Sequence, residues 1–438
     1  MAPRTSSWPV WSGILSTDKN IKSADDWIGA RRKEDGADEL WRIHDGLYNL
    51  EEWIQKHPGG SQWLEITRGT DITELFESHH INGKAATAVM HKFYVRQAES
   101  PRKSPFTFKP DGFYNVLKSR VAKKLSYVDS KNYHLKSILV VDTYFLLALV
   151  SCVGVAQIEN FFLALLTGII LALGTVTAHN FTHLKDNWRM YYVQLVLLSV
   201  REWRISHVLS HHIYTNTVQD LEMSLLYPFI HWFPTNDKPF TVRLFPYLTP
   251  IIYPFIIPGQ LVIRTFKGNN DKADLLMFVI PAILMFCGQM AISSIIIAWI
   301  VIILTSSFMF TFIGFSASHH FPENFHDGDI VNDEYIDWGI HQTITSAERS
   351  EPVNNIFLTI ATFGDHTLHH LFPALDHSLI PVLKDTYEDT CKEFGLDLTP
   401  KSFTTIMCGQ FKQLIRVTPN NPKNNSIVHC TDIKLNNI

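Results

Sequence analysis

The sequence predicts a multidomain chain. A soluble α+β domain comes first, followed by an all-α integral membrane domain with four transmembrane helices and a histidine-rich helical cap on one membrane face. Three observations carry this. The 438 residues are 46% hydrophobic with a mean hydropathy of +0.02, too apolar for an ordinary soluble chain and too polar for one wholly in lipid, so the mean is a mixture of unlike segments. Two long blocks are almost free of charge, and many of the 21 histidines gather beside them. A formal charge of −4 excludes the basic stripe that nucleic acid requires, so no nucleic-acid partner is expected. Five scattered cysteines (Cys152, Cys287, Cys391, Cys408 and Cys430), with no CxxC pair, fit a reduced compartment better than a disulfide framework or a zinc site.

Residues 1–23 form an N-terminal segment with no apolar run long enough for a signal peptide. Residues 24–100 are polar and acidic, a soluble domain. Residues 101–136 are a linker and pre-membrane segment with a basic bridge at Lys118, Arg120, Lys123, Lys124, Lys131 and Lys136. The membrane domain, 137–400, holds the two apolar blocks. From Ser137 to Ala178 only Asp142 and Glu159 are charged, and from Leu275 to Ser318 nothing is. As helix each block would run roughly 63–66 Å, two crossings of a ~30 Å hydrocarbon core. Each is therefore a hairpin (about 137–178 and 275–318), turning near Gln157–Asn160 and Gly288–Ser293. The turns lack Lys and Arg, whereas Lys136, Lys185, Arg189, Arg264, Lys267 and Lys272 flank the blocks. The positive-inside rule then places both termini and the histidine clusters in the cytosol.

Residues 243–262 are also apolar, but Pro246, Pro250, Pro254 and Pro258 recur every fourth residue. Each proline removes a helix hydrogen bond, so a regular span is not expected and the stretch reads as interfacial or re-entrant, as does Tyr191–Val200. Residues 401–438 form a C-terminal tail whose end, rich in Asn, Pro and Lys, reads as mobile.

Within the soluble domain, Asp45–Gly60 reads DGLYNLEEWIQKHPGG and Gly69–His80 reads GTDITELFESHH. Pro58 and the following glycines make a tight turn that lets backbone approach a flat ligand, with His57 at its rim. A later histidine, His80 or its neighbour His79, can face it across a cofactor. Two imidazoles saturate haem iron and favour electron transfer over oxygen binding. The HPGG run, GxDxT, Phe76 four residues before His80 and the closing KFYV (Lys92–Val95) together resemble cytochrome b5. The resemblance implies one haem b held by His57 and His80. The family often has Gly where this chain has Arg96.

Three histidine clusters flank the hairpins. AHNFTH carries His179 and His183, SHVLSHHIYTNT carries His207, His211 and His212, and GDHTLHHLFP carries His366, His369 and His370. On a helix, i, i+3 and i+4 share a face, so neighbouring imidazoles can grip one metal. His319 and His320 end the second hairpin at SASHH, and one of them makes a ninth ligand. That many ligands suit two metals. Imidazole alone does not choose among iron, zinc, copper and nickel, but an attached haem domain implies a redox metal. Asp220 and Asp365 are candidates to orient the imidazoles. His44, His91, His134, His231, His326, His377 and His429 carry no special expectation, and His341 in DWGIHQ is undecided.

The ordered boxes HxxxH, HxxxHH and [HQ]xxHHLFP, with YTNT after the second and DW before the third, resemble membrane fatty acid desaturases of the b5-fusion, front-end type. The layout is similar to that of insect cytochrome b5-related proteins. The resemblance covers about residues 24–400 and implies two iron ions, molecular oxygen as co-substrate and a fatty acyl substrate, as acyl-CoA or phospholipid. It also implies NADH-cytochrome b5 reductase as electron donor and the endoplasmic reticulum as location. Front-end members usually have Gln where this chain has His366, which weakens transfer of their regioselectivity. Two other functions fit the same residues: a lipid hydroxylase using the same metals, and a non-catalytic, membrane-anchored haem protein. A transporter is disfavoured because the intramembrane charges of an ion path are absent from the second hairpin and nearly so from the first.

Overall fold

The computed structural model describes residues 6–14, 21, 23–351 and 355–421. The expected mobile tail lies largely outside these residues, as does Cys430. The N-terminal domain is a small α+β unit. Strands β1 (Trp41–Ile43), β2 (Gly46–Tyr48) and β3 (Tyr94–Gln97) form an antiparallel sheet in that order. Helices α1 (Ala24–Glu34), α2 (Ser61–Thr67), α3 (Thr73–His79) and α4 (Gly83–Met90) surround it. Ser23 caps α1, accepting a hydrogen bond from the Asp26 amide, and Asp25 and Asp26 sit in its first turn where the helix dipole favours acid.

The segment after this domain is packed, not loose. Helix α5 (Phe113–Leu125) buries Phe113, Tyr114, Leu117 and Val121 completely, and Phe106–Thr107 pairs in parallel with Ile336–Asp337 of the cap. Helices α6 (Ser130–Ile158) and α7 (Phe161–His183) are the first hairpin. The turn falls where expected: Glu159 adopts a left-handed conformation, and the Asn160 side chain accepts from the Leu163 amide to start α7. The second hairpin has unequal limbs. A 3-10 turn at Lys272–Phe278 and the short helix α9 (Val279–Phe286) descend, and α10 (Ile292–Phe315) returns. Asp271 and Asp274 close a capping box at the start of that limb. The two hairpin turns meet at the far end, where the Gln157 amide donates to the Cys287 carbonyl and Gly288 lies against Ala156.

One expectation is corrected. The proline-rich stretch is a continuous helix, α8 (Phe240–Phe266). Its buried face carries Val242, Phe245, Thr249, Tyr253 and Ile257. The prolines lie on the neighbouring, partly exposed stripe, so the lost bonds fall along one line. The Ser307 hydroxyl stitches the ladder, donating to the Tyr253 carbonyl at 2.9 Å and accepting from the Ile257 amide at 3.2 Å. By length and apolarity α6, α7, α8 and α10 are the four helices able to cross a membrane among the described residues. Yet both ends of α8 are bonded to the histidine-bearing side. Thr241 donates to Pro228 and Lys238 to the Leu414 carbonyl at one end, while Arg264 pairs with Glu202 and Lys267 with Asp26 at the other. Both ends of this unbroken helix therefore sit on the histidine-bearing side, although it is long and apolar enough to cross a membrane.

The N-terminal domain is docked on the cap. Trp27 donates to the Gln219 carbonyl at 3.0 Å, Arg31 to the Tyr214 hydroxyl at 2.9 Å, and Lys118 to the Glu77 carboxylate at 2.9 Å. Arg204, fully buried, pairs with Asp186, donates to Gln62, and lies 4.3 Å from the Trp63 ring. At Gly60 φ is +106°, and an added Cβ would fall 2.5 Å from the Asp186 carboxylate, so the HPGG turn is pressed against the cap where only glycine fits.

Candidate haem and metal centres

His57 leaves the turn after a 3-10 segment (Glu51–Lys56), and its Nδ1 donates to the Gly60 carbonyl at 2.9 Å. His80 closes α3, and its Nδ1 donates to the Phe76 carbonyl at 2.9 Å. Both rings thus have one nitrogen fixed by backbone and present Nε2 as the ligand atom. Their centroids are 6.3 Å apart, about the separation two imidazoles need to hold one iron through bonds of about 2 Å. A cavity of about 580 Å³ opens between them, walled by Leu50, Ile72, Leu75, Phe76 and Val89. The residues fit a bis-histidine haem. His79 turns instead toward Trp63, with centroids 6.1 Å apart and Nδ1 bonded to the Leu75 carbonyl. Burial presses its imidazole down to about 3, so it stays neutral.

The three clusters converge below this domain, but not one cluster per metal. His179, His183, His212 and His369 form one quartet, set A, and His211, His319, His366 and His370 another, set B. The quartets adjoin where His212 stacks on His370, at 3.8 Å and 10°. His207 stands beside set A with its Nε2 2.6 Å from that of His179, while its Nδ1 meets Glu222 at 3.0 Å. The first cluster behaves as its spacing predicts. The second and third are divided, because consecutive residues such as His211–His212 and His369–His370, about 100° apart around a helix, fall in different quartets. The segment Arg204–His211 is π-helical, a widened turn that re-aims its side chains and recurs at functional sites.

His320 does not join. It stacks face to face on Trp232 at 3.7 Å and 1°, whereas His319 enters set B with Nε2 2.8 Å from that of His366. His341 is buried apart from both sets and donates to the Thr215 carbonyl. Of the two expected orienting carboxylates, Asp220 meets His211 Nδ1 at 2.8 Å. The Asp365 side chain faces Lys384 instead. Sequence patterns do not point to Glu222. Nor do they point to His377, whose Nε2 lies 2.9 Å from His369 Nδ1. The chain reverses after Pro373 to bring His377 back, and no periodicity signals that contact.

Burial, followed by neighbouring imidazoles, holds His212, His319, His369 and His370 well below the ordinary histidine value, leaving them neutral ligands. His211 is the exception. Burial would lower it, but Asp220 and Glu222 overcome this and raise it to about 9. Buried, convergent imidazole nitrogens, most of them neutral, fit two metal ions of the imidazole-binding kind. Beside set B lies a cavity of about 150 Å³ lined by His211, His319 and His366 together with Leu226, Ile256 and Phe310.

Residues 157–401 match the family described as Fatty acid desaturase, and residues 30–99 that described as Cytochrome b5-like Heme/Steroid binding domain. A cytochrome b5-related protein of Drosophila melanogaster is 38% identical over 90% of this chain and 92% of its own length. Delta(5) fatty acid desaturase A of Dictyostelium discoideum is 24% identical, covering 88% of this chain and 92% of its own. An acyl-lipid (8-3)-desaturase of Mortierella alpina is 23% identical, covering 80% and 87%. No solved structure matches the chain.

Proposed function

Because the chain belongs to the fatty acid desaturases, membrane oxidoreductases, and carries a fused cytochrome b5 domain, we propose that it introduces a double bond into a lipid acyl chain using oxygen and electrons relayed through its own haem domain. The observation that carries this reading is the placement of two buried histidine quartets between a haem-sized cavity and an apolar one. Haem and two irons, when bound, supply one-electron transfer and oxidation of an unactivated CH₂, which side-chain acids and bases cannot perform.

The protein residues supply binding, orientation and exclusion of water. His57 and His80 hold the haem. Sets A and B, with His207, hold the metal pair. Asp220 and Glu222 keep the Nδ1 protons of His211 and His207 in place, so that Nε2 remains the donor atom. Leu226, Ile256 and Phe310 strip water from an acyl segment laid against set B. The exposed apolar residues of α8, among them Tyr247, Ile251 and Phe255, face lipid, from which an acyl chain as CoA ester or phospholipid would enter. The electron donor is an NADH-cytochrome b5 reductase. The protein sits in the endoplasmic reticulum with both termini and the histidine cap cytosolic.

Expression in yeast with fatty-acid profiling of fed substrates tests the reading. New unsaturated products are expected, and hydroxylated products in their place would assign the metals to hydroxylation. His211→Ala should abolish product, and unchanged desaturation in that variant would refute these ligand roles. Purified protein should hold about three irons per chain, one of them in haem. Zinc in place of the other two would rule out redox chemistry at the quartets.

A further inference from the structure

The two quartets face different cavities. The haem cavity is walled on the membrane-domain side by His183 and Leu184, and His183 is a member of set A. No member of set B lines it. The apolar cavity is lined by His211, His319 and His366 of set B and by no member of set A. His207, outside both quartets but beside set A with its Nε2 2.6 Å from that of His179, also reaches that cavity.

A second, independent difference lies behind the imidazoles. In set A the buried Nδ1 atoms of His179, His183 and His212 have no hydrogen-bond partner among the described residues, while that of His369 has one in His377. In set B, His211 is backed by Asp220, His319 by the Thr345 carbonyl, and His370 by Thr215 and Gln342. His366 is the one unbacked member there. Acceptors behind an imidazole, a carboxylate above all, raise its donor strength. Stronger donors favour the more highly charged ion, so an iron in set B would be held more firmly ferric and one in set A would be more readily reduced.

From these two differences we infer that the quartets divide the work: set A is the electron port that receives from the haem, and set B is the substrate-facing site. The inference rests on the di-iron reading above. The step is a plain electron transfer. One electron would leave ferrous haem and reduce one ferric ion held by set A to ferrous, with no bond made or broken. His183 serves both sides, as a wall of the haem cavity and as a ligand of the metal beyond it.

The test uses full-length, haem- and iron-loaded protein in detergent, without oxygen or substrate, and follows haem absorbance after a one-electron photoreduction of the haem. His212→Ala and His370→Ala make the comparison. These residues are stacked partners, one from each quartet, and neither lines either cavity. In wild type the ferrous haem signal should decay to a non-haem ferric iron. In His370→Ala the decay should stay within about threefold of wild type, and in His212→Ala it should slow at least tenfold. The reverse order, or equal slowing in both, overturns the division of work. If alanine strips both irons, His212→Gln and His370→Gln carry the same comparison. Wild-type protein that holds haem but no further iron would instead refute the di-iron reading itself.

Discussion

A single side-chain position decides what His319 and His320 do. Both end the second hairpin, and local pattern offers reasons for either. His319 sits with set B, its Nδ1 anchored on the Thr345 carbonyl at 3.0 Å, whereas His320 lies flat on Trp232. His319→Ala should therefore lose non-haem iron from set B, and His320→Ala should retain it at the wild-type ratio. Iron analysis normalised to haem absorbance checks both. Equal loss would mean that His320 is also a ligand. The residue scale was legible wherever a histidine ended a strong local pattern, as in HPGG, HxxxH and HHLFP. It was not legible where tertiary folding made the contact. His377 reaches His369 only because the chain doubles back at Pro373, and Glu222 reaches His207 only because the turn after Asp220 folds over the π-helical segment. Spacing predicted that neighbouring imidazoles can grip one metal; it could not predict that His211 and His212 would fall in different quartets.

At the scale of elements, uncharged length was the strongest signal, and both hairpins with their turns follow from it. Proline misled in part. The rule that proline breaks a helix holds when the lost bond is left open to solvent or to an apolar core. In α8 the losses fall on one stripe and Ser307 bridges the ladder from α10, so the helix continues. What the prolines do signal is its placement. With Lys238 and Lys267 anchored to the histidine-bearing side at either end, α8 is expected to lie along the interface while α6, α7 and α10 cross. Cysteines introduced singly at Phe240 and Phe266, in a background with Cys287, Cys408 and Cys430 replaced by Ser, should both react with an impermeant maleimide from the same face of sealed vesicles. A cysteine at Ile158 should react from the other. Labelling of Phe240→Cys and Phe266→Cys from opposite faces would make α8 a true span and leave His207 and His319 on different sides of its crossing.

On the scale of the whole molecule, the fusion of a haem domain to a membrane enzyme matters only if the two stay together, and charge pairs hold them. Glu77 on α3 accepts from Lys118 on α5 at 2.9 Å and from His44 at 2.9 Å, with its side chain 18% exposed. Burial alone would raise this carboxyl. The hydrogen bonds from His44 and Lys118 and the charge of the lysine overcome it, and hold the group down at about 2 from an ordinary 4.5. A depressed carboxyl contributes stability that is complete above the unfolded value and is lost as pH falls through the folded one. The stabilisation is thus fully present above about pH 4.5 and gone below about pH 2. A shift of this kind on a partly screened group is worth roughly 1–3 kcal/mol. Glu77→Gln should therefore loosen docking by about that much at pH 7, read as faster amide exchange in α3 and α5, with haem binding retained because His57 and His80 are untouched. The gap between wild type and Glu77→Gln should be constant from pH 7 to about 5 and close as pH falls toward 2. A gap that persists undiminished at pH 2 would show that Glu77 acts through shape and not charge, and that the ion pair to Lys118 does not hold the haem domain over set A.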